Sequence, residues 1–210
     1  MKKTIIFDLD NTILFLSNKW MNAYQEFIDK YNLNISLEDL YTCIGYFEKE
    51  AEDKIVSYKM ICDYINKNLK ITIDEKMFNG LLIDYANIPL LNIDKVYSTL
   101  EYLSKKYNLV GYSNWFTNNQ IDRLKKYNLD KFFKKIYGWD ILPSKPSLSG
   151  LKDIIKEDNI GDYTFIGDSI NIDLELPKRI GMNTILYNAS KINQNNYKEI
   201  NDIEELKDLL

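Results

Sequence analysis

The sequence predicts an α/β fold: a Rossmann-like parallel sheet with helices on both faces, interrupted after its first strand by an all-helical insertion. Three observations predict it. A short β-branched and aromatic run occupies residues 4–9, helical periodicity without a convincing strand fills about residues 17–86, and from about residue 94 strand-like runs alternate with helix-length stretches. Such alternation builds a parallel sheet with right-handed crossovers. One α/β domain of residues 1–16 and 88–210, carrying residues 17–87 as a second, helical unit, accounts for the 210-residue length.

Taken in order, Thr4-Ile5-Ile6-Phe7-Asp8-Leu9 has the composition of a buried parallel strand. After Leu16 the period changes: Trp20, Tyr24, Phe27, Ile28 and Tyr31 recur at helical spacing, with Ser17 or Asn18 as N-cap. Ser36 caps a second helix, and Asp39 three residues on comes close to a capping box. Helical stretches follow at about 52–68 and 73–86, with Leu69–Ile73 between them ambiguous. The remainder reads as a helix at 94–106, a strand at 108–112, a helix at 117–127 and a strand near 135–139. A helix at 148–157, a strand at 163–167, a helix at 171–180, a strand at 183–187 and a helical tail at 202–210 complete it.

Composition narrows the chemistry. With 45% hydrophobic and 28% charged residues, and only 8 Gly and 4 Pro, the chain is globular rather than disordered. It has no histidine, which removes Ser–His–Asp and Cys–His catalysis and zinc sites built on His. Two cysteines, Cys43 and Cys62, cannot by themselves make a four-thiolate metal site. A net charge of −4, with Arg123 and Arg179 the only arginines, argues against nucleic acid as the main partner. The lysine-rich stretch 125–135 reads as a solvated helix face with buried aromatics. No apolar run is long enough to span a membrane, and Asp8 and Asp10 interrupt the apolar start before it resembles a signal peptide. A reduced cytoplasm is the expected compartment.

Ligands of open parallel sheets bind at the carboxyl ends of the strands. The first strand runs into Asp8-Leu9-Asp10-Asn11-Thr12, and residues two apart share a strand face, so both carboxylates converge on one point. Two such charges repel, and Mg²⁺, which prefers oxygen ligands, relieves them; the same residues also fit an acidic turn. The strand ending at Tyr112 is followed by Ser113 and Asn114, suited either to a phosphoryl oxygen or to a helix cap. Lys145 lies between Pro143 and Pro146, in backbone held extended. Gly167-Asp168-Ser169, with Asp173 beyond, adds a third carboxylate at the same sheet edge, or an ordinary turn. Three of these signals fall at strand ends and Lys145 in a loop soon after one, an arrangement too ordered for coincidence.

Together they resemble the haloacid dehalogenase-like hydrolase superfamily. Its first motif is matched by Asp8-Leu9-Asp10-Asn11-Thr12, its second by Ser113-Asn114, its third by Lys145-Pro146, and its fourth by Gly167-Asp168-Ser169 with Asp173, followed by Gly181-Met182. Leu176-Pro177 departs from the Gly-Ala of many relatives, a matter of helix packing. The insertion resembles the helical cap of the subgroup that includes phosphoglycolate phosphatase, β-phosphoglucomutase and small nucleotidases.

The resemblance implies a Mg²⁺-dependent phosphatase in which Asp8 forms an aspartyl-phosphate and Asp10 serves as general acid and base. It further implies Mg²⁺ at Asp8, Asp10 (through its main-chain carbonyl), Asp168 and Asp173, and transition-state stabilisation by Ser113, Asn114 and Lys145. Substrate contacts are expected from Asn114, Thr12 and Tyr46, with a small phosphorylated metabolite as partner and a monomer or weak homodimer as the working state. Dehalogenases of the superfamily lack an acid at the position of Asp10. A phosphomutase, a phosphonate hydrolase using a cap lysine (Lys19, Lys49, Lys54 or Lys59), and a non-enzymatic phospho-acceptor are the alternatives.

Overall fold

The computed structural model describes residues 2–17, 19–155, 159–188 and 196–210. The chain opens with β1 (Thr4–Phe7) and β2 (Phe15–Leu16), then enters four helices, α1 (Trp20–Lys30), α2 (Leu37–Glu50), α3 (Tyr58–Leu69) and α4 (Glu75–Ala86). It returns through β3 (Leu90–Leu91) and continues as α5 (Ile93–Lys106), β4 (Asn108–Tyr112), α6 (Thr117–Lys125), β5 (Phe133–Tyr137), α7 (Leu148–Ile155) and β6 (Tyr163–Gly167). A π-helical turn, Ile170–Leu174, leads into α8 (Glu175–Arg179), then β7 (Asn183–Tyr187), β8 (Lys198–Ile200) and α9 (Leu206–Leu209).

Six strands form one parallel sheet in the order β5-β4-β1-β6-β7-β8, with β1 in the middle. Alternation along β1 explains its place. Ile5 and Phe7 face a core shared with Val96, Leu100, Leu124 and Leu206, on the side of α5, α6 and α9. Ile6 faces the opposite core, with Leu151 and Leu176 of α7 and α8. All three are fully buried, each worth roughly 1.5–3 kcal/mol of transfer free energy.

The insertion has its own core. Phe27, Leu40, Phe47, Ile61, Ile65 and Phe78 pack together, and Trp115, Phe116 and Trp139 from the sheet domain complete the cluster. The two-stranded antiparallel ribbon of β2 and β3 ties together the points where the chain leaves and re-enters the sheet domain. No helix among the described residues is long and apolar enough to cross a membrane.

Several element boundaries differ from the sequence reading for identifiable reasons. The helix expected from 52 starts at Tyr58, because Ser57 caps it by accepting from the Met60 N–H and the preceding segment bonds elsewhere. There Asp53 and Val56 donate to the carbonyls of Ser144 and Trp139 at 3.1 and 2.7 Å, and Ser144 donates to Lys54 O at 2.9 Å. Residues 69–73 form no strand: Lys70 is left-handed and ends α3, and the Asn66 amide bonds both backbone groups of Ile73. Ser17 does not cap α1, whose preceding residue Lys19 supplies no side-chain cap; Asn18 lies outside the described residues. The predicted helix 148–157 is described through Ile155. The capping box at Ser36 and Asp39 forms fully.

Candidate active site

Asp8 follows β1 directly, its N–H donating to Ile166 O at 2.8 Å, so the sheet ladder itself fixes it. The chain then folds back on Leu9, whose carbonyl accepts from Thr12, Ile13 and Leu14, with Asn11 in the left-handed region at φ 59°. Asn tolerates that conformation better than most residues. This fold returns the Thr12 hydroxyl to donate to Asp8 Oδ2 at 3.0 Å. Thr12 is fully buried and does not line the cleft, so the expected substrate contact is corrected: its hydroxyl holds the Asp8 carboxylate instead.

Lys145 Nζ lies 2.6 Å from Asp8 Oδ1 and 2.6 Å from Asp173 Oδ1, all three groups being buried. Asn114 clamps the lysine backbone from both sides. Its Oδ1 accepts from Lys145 N at 2.6 Å and its Nδ2 donates to Lys145 O at 2.9 Å. Asp173 is fixed in turn by the Ser169 N–H, which donates to its Oδ2 at 3.1 Å. Gly167 makes that close approach possible: a Cβ there would lie 2.5 Å from Asp173 Oδ2.

Burial pushes Asp8 well above the usual carboxylate range; Lys145 pulls it down, while Asp173 and Asp168 push it further up. Burial alone would lower the Lys145 ammonium, but Asp173 and Asp8 outweigh it and hold it above its ordinary value. The enclosing cleft, helped by Asp173 and opposed by Lys145, raises Asp168 to about 6. Carboxylate oxygens of Asp8, Asp168 and Asp173 all lie within 4.8 Å of one another. Three hard oxygen donors crowded this closely, with Asp8 and Asp168 raised by burial, fit a hard divalent cation such as Mg²⁺.

The Asp10 side chain stands outside that trio. Its Oδ1 accepts from Arg123 Nη1 at 2.6 Å and its Oδ2 from Gln120 Nε2 at 2.5 Å. Gln120 also donates to Ser113 Oγ at 2.7 Å and accepts from Arg123 at 2.8 Å, so α6 organises two of the expected site residues at once. Sequence reasoning missed both; their spacing of three on the helix after Ser113-Asn114 was the available signal.

The cleft over these groups encloses about 330 Å³. The sheet domain supplies Asp8, Asp10, Ser113, Asn114, Lys145, Asp168 and Asp173, and the insertion supplies Tyr24, Tyr41, Gly45, Glu48 and Tyr85. Tyr46 is a second correction. At 58% exposure it lies outside the cleft beside Lys49, because the inward stripe of α2 runs through Tyr41, Ile44, Gly45 and Glu48. None of Lys19, Lys49, Lys54 and Lys59 lines the cleft, which removes the support for Schiff-base chemistry from these lysines.

A family profile described as haloacid dehalogenase-like hydrolase matches residues 5–187. Among curated proteins none matches. Solved structures of similar fold include the HAD-hydrolase YfnB from Bacillus subtilis bound to magnesium, at TM-score 0.81 and 20% identity over 100% of this chain and 98% of that one. A 2-haloacid dehalogenase from Pseudomonas syringae pv. tomato superposes at TM-score 0.75 and 18% identity, covering 100% and 98%. A HAD phosphatase from Thermococcus onnurineus does so at 0.67 and 21%, covering 99% and 97%.

Proposed function

The chain belongs to the haloacid dehalogenase-like hydrolase family, and from that premise we propose that it is a Mg²⁺-dependent phosphatase acting on a small phosphate monoester through an aspartyl-phosphate. Neighbours of this fold include both dehalogenases and phosphatases, so the site must decide between them. The observation that carries the reading is the second carboxylate: Asp10 lines the same cleft as Asp8, where displacement at phosphorus needs an acid and a base.

Asp8 is the nucleophile, oriented by the Thr12 hydroxyl and by Lys145. Mg²⁺ held by Asp8, Asp168 and Asp173 would supply the positive charge that lets an anionic carboxylate approach an anionic ester. Lys145, by its charge, and Ser113 and the Asn114 N–H, by hydrogen bonds, stabilise charge on the transferring oxygens. Asp10 gives a proton to the leaving oxygen and later takes one from the hydrolytic water. Residues 17–87 act as a cap that excludes bulk water, their aromatic cluster docked on Trp115, Phe116 and Trp139.

A panel of phosphate esters and 2-haloacids, assayed with MgCl₂ and with EDTA, tests the reading. Phosphate release that EDTA abolishes is expected. Metal-independent turnover of a 2-haloacid would overturn it.

A further inference from the structure

We propose that the cleft selects a phosphate ester with a cationic leaving group, an amino-alcohol phosphate, and that Glu48 and the aromatic side chains around it are the selecting elements. The inference rests on the phosphatase reading and deepens it. With Asp8 and Lys145 holding the phosphoryl group, the leaving group extends past Asp10 toward the insertion.

The insertion wall carries one carboxyl group and no cation. Glu48 projects from the inward stripe of α2, and no lysine or arginine of residues 17–87 lines the cleft. Lys145, the one cationic side chain of the lining among the described residues, pairs with Asp8 and Asp173 at the phosphoryl end of the cleft. Among the described residues no hydrogen bond or ion pair reaches the Glu48 carboxyl. Burial, with Asp10 adding to it and Lys145 opposing, pushes that carboxyl up to about 7.

Around it stand Tyr24, Tyr41, Tyr85 and Trp115. Three come from different insertion helices and the fourth from the loop after β4. Tyr85 packs on both Tyr24 and Trp115, at ring-centroid distances of 6.0 and 5.8 Å, and Trp20 links Tyr24 to Tyr41 at 6.0 and 4.9 Å, so the rings are joined in one cluster.

Three charge types of leaving group meet this wall differently. An anionic one brings like charge beside the Glu48 carboxylate. An uncharged one desolvates Glu48 without giving it an ionic partner. A cationic one pairs with Glu48 and lies against aromatic rings whose faces attract cations. The cleft therefore attracts the cationic class and repels the anionic one, which is how one site achieves specificity.

Three esters of nearly equal size isolate the charge: 2-aminoethyl, 2-hydroxyethyl and carboxymethyl phosphate. With MgCl₂ present, kcat/KM is expected to favour the aminoethyl ester over the hydroxyethyl by at least about tenfold, and over the carboxymethyl by more. Glu48→Gln should bring the aminoethyl-to-hydroxyethyl ratio close to one, and Glu48→Lys should favour the carboxymethyl ester over the aminoethyl. p-Nitrophenyl phosphate separates the two levels of failure. Its turnover without an aminoethyl preference overturns the selection and leaves the phosphatase reading standing, whereas turnover of no ester at all overturns both. A preference that persists in Glu48→Gln overturns the role of that residue.

Discussion

Arg123 Nη1 lies 2.6 Å from Asp10 Oδ1, with the guanidinium almost wholly buried and the carboxylate one-third exposed. Among the described residues the arginine Nε and Nη2 have no partner and Asp10 and Gln120 supply its hydrogen-bond acceptors, while the Tyr85 ring lies 5.2 Å from its Cζ. A buried cation so placed holds its carboxylate in one direction. Arg123 is thus a positioning residue for Asp10.

Replacing it tests that role. Arg123→Met keeps the volume and removes the charge, leaving Asp10 without its ionic partner at a cost of about 1–3 kcal/mol, less than for a fully buried pair. Values of kcat/KM for alkyl phosphates should fall at least ~10-fold further than for aryl phosphates, because only the former need a well-aimed acid. Arg123→Lys should recover part of the difference. Equal losses on both esters would reduce Arg123 to a packing role.

Gly167→Ala should cost at least ~10-fold in turnover while leaving the fold intact. A Cβ there meets Asp173 Cβ and Cγ at 2.6 Å, so the carboxylate must move and Lys145 loses one of its two anchors. Circular dichroism together with steady-state kinetics separates a displaced site from an unfolded protein.

The strand ends were legible because parallel strands buried on both faces are written as short apolar runs, and each such run stops where its chemistry begins. Asp8, Ser113 and Asp168 all follow their strands directly. The edge strand β8 was not legible: Lys198–Ile200 is three residues long and carries two charges. Nor was the start of α3, where hydrogen bonds from residues 53–56 to residues 139 and 144 override a continuous helical pattern. Thr12 and Tyr46 were read by type rather than direction, and the turn at Asn11 and the register of α2 decide both. The Gln120 and Arg123 partners of Asp10 stand more than a hundred residues away in sequence, beyond any local pattern.

Mg²⁺ and pH should act together on stability. Asp168 is raised from 3.8 to about 6, so in the metal-free protein its stabilising contribution is complete below its unfolded pKa and is lost as pH rises through about 6. A cation at the trio reverses that loss, and protons compete with it. The MgCl₂-induced rise in Tm should therefore be larger at about pH 8 than at about pH 5. Thermal melts at both pH values, with and without the metal, check this; a shift independent of pH would remove Asp168 from the ligand set.

Asp8→Asn should abolish turnover and leave the thermal transition in place, since it removes the proposed nucleophile and conserves shape. Acid-quenched wild-type protein should carry phosphate that the variant lacks. Retention of more than a few per cent of activity, with deamidation excluded by mass spectrometry, would rule out the covalent route.

Asp10→Asn separates catalysis from mere phosphate binding. The amide still accepts a hydrogen bond from Arg123, so the α6 network survives in outline while proton transfer is lost. Attack by Asp8 on an aryl ester needs no protonation of the departing phenolate and should proceed, giving a burst of phenol. Hydrolysis of the aspartyl-phosphate needs a base, so the burst should be followed by slow turnover with phosphate trapped on the protein. An alkyl ester, whose alkoxide leaves poorly, should give no burst and lose about 10²–10⁴-fold in kcat/KM, the usual worth of general acid–base help. Rapid-quench comparison of the two esters reads both halves. Equal losses on both esters, with no trapped intermediate, would return Asp10 to a structural role and remove the observation on which the phosphatase reading rests.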